Sequence, residues 1–109
     1  MKLKLSMGYS NEEYQKNFRG VDCYLLKGNG VELKKKYDKE KNSYTNEVDC
    51  AVIQTYFKGM GEQDIKLPKD FKLSNSIGDM SRIELIDPEA CLVGRANIYV
   101  RAKGIKEAD

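Results

Sequence analysis

The chain has 109 residues, room for one domain with one modest core and few residues to spare for a deep enclosed pocket. With 40% hydrophobic and 33% charged residues it is polar but not disordered, and 19 basic against 17 acidic side chains leave a formal charge of +2, which alone does not mark a nucleic-acid binder. No apolar stretch approaches the ~20 residues of a membrane-spanning helix, and the lack of any histidine removes the commonest general base, metal ligand and nucleophile partner.

Met1, Leu3, Leu5 and Met7 alternate with Lys2, Lys4 and Ser6, which predicts a first strand over 1–7 and lacks the continuous apolar core of an export signal. Gly8 ends it. Ser10 and Glu13 have the spacing of a capping box, and Tyr14 and Phe18 fall on one helical face, so a short helix is expected over 11–18. Strands are expected over 21–27 and 31–37, joined as a hairpin by Gly28-Asn29-Gly30. The polar stretch 38–46 reads as a loop. Val48–Phe57 is rich in Val, Ile, Thr, Tyr and Phe, with apolar residues on both faces, and is placed centrally. Gly59-Met60-Gly61 breaks it. Asp64–Leu67 is short, and Pro68 confines it to an edge or strand end. Phe71 and Leu73 add a further extended piece. Arg82–Ile86 is a strand ended by Asp87-Pro88, and Ala96, Ile98, Val100 and Ala102 alternate in a last strand.

Cys23, Cys50 and Cys91 are far apart, each in an apolar run, without metal-type spacing. They read as buried free thiols, and reduced thiols point to the cytoplasm. The whole chain, 1–109, reads as a single, mostly β domain: a small OB-like, partly open barrel of five to seven strands with one short helix. The alternative is a single-sheet α+β domain.

Chemistry that would make an enzyme is sparse. The two G-x-G triplets lack a third glycine and a following helix, so they read as turns. Glu12 and Glu13 suit the first turn of a helix. Glu62 and Asp64 flank a loop but lack a calcium-loop pattern. No catalytic residue, metal site or cofactor is assigned. Between residues 27 and 41, by contrast, six lysines face three acids beside Tyr37 and Tyr44. Cations that follow phosphates and rings that stack on bases are what a single-strand binder needs. Such lysines also serve solubility and protect sheet edges from self-association. The candidate nucleic-acid contacts are Lys34, Lys35, Lys36, Tyr37, Lys39, Lys41, Tyr56, Tyr99, Arg101 and Lys103. The reading requires these groups to share one exposed side of the sheet.

Ile83-Glu84-Leu85-Ile86-Asp87-Pro88, the strand that follows it and the opening Met1-Lys2-Leu3-Lys4 resemble a small family encoded by bacterial integrative and conjugative elements, long labelled a domain of unknown function. One branch is a helicase processivity factor. The resemblance implies a DNA-processing accessory protein without enzymatic activity of its own. The expected function is therefore a non-enzymatic accessory factor of a mobile element that binds single-stranded DNA, or a helicase–DNA complex, during replication or transfer, with a helicase or relaxase as partner. The alternative is a protein-interaction module, without nucleic acid, acting through an exposed sheet edge such as 64–67 or 31–37.

Overall fold

The structure, a computed structural model, describes residues 8–28, 30–93 and 97–108. The strand expected over 1–7 lies outside these residues. In chain order the elements are helix α1 (Asn11–Phe18) and strands β1 (Cys23–Leu26), β2 (Glu32–Asp38), β3 (Ser43–Phe57), β4 (Gly61–Leu67), β5 (Arg82–Ile86), β6 (Glu89–Val93), β7 (Asn97–Arg101) and β8 (Gly104–Glu107).

The helix has the expected bounds. Ser10 is its N-cap, with its hydroxyl accepting from the Glu13 N–H at 3.1 Å. The second half of the capping box does not form. The Ser10 N–H is already donated to the Ala90 carbonyl, and the Glu13 carboxylate accepts from Asn17 instead. At eight residues the helix is too short to persist alone. It is held by Phe18, which is buried against Phe57 at 4.6 Å between ring centroids.

β3 is the spine of the sheet. Along one side its C-terminal half pairs with β1 and its N-terminal half with β2; along the other its C-terminal half pairs with β4. The expected hairpin between the first two of these strands is not present. β1 and β2 lie end to end along β3 and do not pair with each other. Unequal spacing explains the outcome: the long partner offers both strands a better ladder than they offer each other. Residues 38–46, expected as a loop, form a tight turn and the first positions of β3, with Asp38 paired to Ser43. The turn at Gly59 does form, with positive φ at Gly59 and Gly61, and β4 starts directly after it. That makes 64–67 internal rather than an edge, because β7 pairs in parallel with Ile65 and Lys66. Phe71 and Leu73 belong to a non-strand segment that packs beneath the sheet.

β6 and β8 are two strands beyond those expected. Ile86 pairs with Gly104 and Glu89 with Arg101, so one register runs through both pairs. Residues 82–93 and 97–107 thus pair as the two arms of one long hairpin, bent at Asp87-Pro88 and Ala102-Lys103, with Asp87 at φ 48°. One half extends the sheet beyond β1 and the other beyond β4. The order is β6-β7-β4-β3-β1-β5-β8, and the two end strands do not pair. Among the described residues the fold is therefore a single open sheet of eight strands with one helix, the α+β form rather than a barrel.

Ala51, Ile53, Thr55 and Phe57 face inward from β3 and meet Leu25, Ile65, Leu67, Ile83 and Val100. Ile77, on the segment between β4 and β5, closes the core from below. Outside the core, β2 and the start of β3 stand out as an arm. The radius of gyration is 15.1 Å, against about 13 Å for a compact chain of this length.

Candidate nucleic-acid interface

Directly paired residues share a sheet face. The register therefore places Lys34 with Cys50, and Glu32, Val52, Lys66, Arg101 and Glu89 in one row, on the face away from the core. Tyr24, Tyr56 and Glu62 form a parallel row nearer the end of β3. Tyr9 closes over this face, with the Arg101 guanidinium 4.2 Å from its ring centre.

Between the arm and β7 this face holds a groove of about 960 Å³. Its walls include Lys34, Lys35 and Tyr44 on the arm, Lys66 on β4, and Tyr9 and Tyr99 opposite. Tyr44 is 71% exposed and Tyr99 49%, so both rings are open to a ligand. A second hollow, sharing Asp49, Cys50 and Lys66, continues towards Arg101 and Lys103. Acids are interleaved: Asp49, Glu62 and Asp64 in the first groove, Asp87 and Glu89 in the second. Much of the cationic charge is therefore answered within the protein. Lys34 pairs with Glu32 at 2.8 Å, which holds its ammonium pKa above the usual lysine value. Lys36 pairs with Glu47 at 3.5 Å, Arg101 with Glu89 at 2.8 Å and Lys103 with Asp87 at 3.6 Å.

The expected residues thus divide. Lys34, Lys35 and Tyr99 meet in the groove, and Arg101 and Lys103 in its continuation. Tyr56 lies on the same face but packs on Tyr24, with ring centres 6.5 Å apart, outside both hollows. Lys36, Tyr37, Lys39 and Lys41 sit on the outer half of the arm, where β2 and β3 are out of regular register. There Tyr37 meets Tyr44 edge-on at 5.1 Å and its hydroxyl donates to Asn42. Lys35, Lys39 and Lys41 carry no ion pair among the described residues.

Tyr9 and Lys66 were not singled out from the sequence. Tyr9 follows a glycine outside any strand pattern, and Lys66 looks like an ordinary edge lysine until β7 is placed beside it. Burial, with the neighbouring Cys91, raises the Tyr9 hydroxyl pKa. The three thiols are free and buried, as expected. Burial pushes Cys23 up to about 11 and raises Cys50. Among the described residues no three acidic, cysteine or histidine side chains are grouped to hold a metal ion, and no helix is long and apolar enough to cross a membrane.

Fold and face together define a small α+β domain with one curved open sheet, a two-stranded arm, and a tyrosine-lined groove of mixed charge. No family model and no curated protein matches the chain. Among solved structures it is similar to the solution NMR structure of SAG0934 from Streptococcus agalactiae, with a TM-score of 0.51 and 18% identity, over 96% of this chain and 94% of that one. At that identity the likeness speaks for the fold alone.

Proposed function

We propose that the chain is a non-enzymatic accessory protein that binds single-stranded DNA along the arm and the groove beside it. The observation that carries the reading is the arm itself. It stands clear of the core with Lys35, Lys39 and Lys41 free of ion pairs among the described residues and the exposed Tyr44 ring braced by Tyr37. In this reading those three lysines follow the phosphates, and Tyr44 and Tyr99 offer ring faces to bases from opposite walls. Lys34, Lys36, Arg101 and Lys103 contribute less, because each already has a carboxylate partner. The place of this binding in a mobile element, alongside a helicase or relaxase, rests on the resemblance of residues 1–4 and 82–103 to the conjugative-element family.

The test is fluorescence anisotropy with a labelled oligothymidine over a range of salt. Each phosphate contact to single strands adds about −0.7 to the slope of log affinity against log salt. Three lysines therefore predict a slope near −2, and Lys39→Ala with Lys41→Ala should make it shallower by about 1.4. Tyr44→Ala should cost ~1–3 kcal/mol of affinity at any salt. Affinity that does not respond to salt, or no binding at low salt, removes the proposal.

A further inference from the structure

β2 is paired on one side only. β1, its neighbour along β3, has β5 on its outer side, whereas no strand runs along the outer edge of β2 among the described residues. Beneath that edge lies a groove of about 470 Å³, floored by Val31, Leu33, Phe71 and Leu73. Leu33 is 55% exposed although its cross-strand partner Ala51 is fully buried. A large apolar side chain is thus left uncovered where the sheet leaves the core. Lys69 and Lys72 flank the groove without ion pairs among the described residues, against the single acid Asp70.

We propose that the outer edge of β2 receives an extended acidic peptide as an added strand, with an apolar side chain of that peptide seated on Leu33 and Phe71. An open edge supplies main-chain donors and acceptors, and a pocket for alternate side chains supplies selectivity. The charges choose the occupant. A second copy of β2 would set lysines 34–36 against lysines, which disfavours self-pairing. A strand carrying carboxylates meets Lys69 and Lys72 instead. This site lies at the outer edge of β2, takes a different ligand and shares only Leu33 with the groove of the DNA-binding reading, so either can fail without the other.

The probe is a synthetic peptide with glutamate, valine and glutamate at alternate positions and threonine between them, so that all three can face the groove, titrated into the isotope-labelled full chain and followed by amide NMR. Binding should shift the β2 amides and those of Phe71 and Leu73, and slow exchange at the β2 edge. Lys69→Glu combined with Lys72→Glu should weaken it about tenfold, or ~1.4 kcal/mol, because both exposed cations that meet the carboxylates are reversed. Both side chains are exposed, so an unchanged amide spectrum of the free variant certifies its fold. Leu33→Asp should abolish binding. The same peptide with lysine in place of glutamate that binds as well, shifts that map to β6 or β8, or no shift at millimolar peptide would each overturn the proposal.

Discussion

Thr55 is the only polar residue among the described ones that is buried with the core, at 0% exposure, and it offers a sharp test of how the sheet is held. Its hydroxyl donates to the Gln63 carbonyl at 2.7 Å. Gln63 in turn uses its amide to reach the Ile98 carbonyl at 3.3 Å, bridging β4 and β7 beside their short parallel ladder. Thr55→Val keeps the shape and removes the donor. A carbonyl left without its partner in a buried place costs about 1–3 kcal/mol, and the added methyl returns at most ~0.8 kcal/mol. The expected net loss is roughly 1–2 kcal/mol, read as a lower urea midpoint at unchanged m-value, or a fall of roughly 4–8 °C in Tm per kcal/mol. Thr55→Ser keeps the donor and loses a buried methyl, so it also destabilises, but by a different route. A Val variant as stable as the parent would refute the reasoning.

Phe18→Ala should cost ~3–5 kcal/mol and take the helical circular-dichroism signal with it, since α1 depends on the ring contact with Phe57; a loss below about 1 kcal/mol would mean that the helix is not docked there. The Cys23 contribution to stability should be constant up to about 9 and fall between about 9 and 11, because the unfolded Cys23 thiol ionises first while the buried one holds its proton to about 11. Tyr14, pushed up to about 12 by burial, extends the fall in the same direction. Two pKa units correspond to roughly 2–3 kcal/mol, and Cys23→Ala should remove that part of the decline in alkaline urea titrations. Lys36→Ala should change stability by less than about 0.5 kcal/mol, since its pair with Glu47 is exposed on both sides.

Local chemistry was readable where neighbours in the chain decide the outcome. The helix bounds, the Ser10 cap, the turn at Gly59, the strand over 82–86 and the centrality of 48–57 all follow from spacing and residue type, because a cap, a positive-φ glycine or a period of two acts within a few residues. Gly28-Asn29-Gly30 misled because turn residues announce a bend and not which strands will pair across it. The length of β3 made that choice, by offering both flanking strands one continuous ladder. β8, with Ile105 among charged residues, has too little pattern to be seen, and exists because β5 presents it an edge in register with β6 and β7.

The candidate interface divides in the same way. The lysines and tyrosines of 34–41 and 99–103 are visible in the chain, and their exposure follows from being polar. Their pairing with Glu32, Glu47, Glu89 and Asp87 does not. Residue order determined a β-rich, single-helix domain of alternating strands, because alternation is local. Which charges are cancelled and which rings face one another across a groove was decided only when strands distant in sequence came together, since Coulomb partners and stacking distances are properties of the assembled sheet.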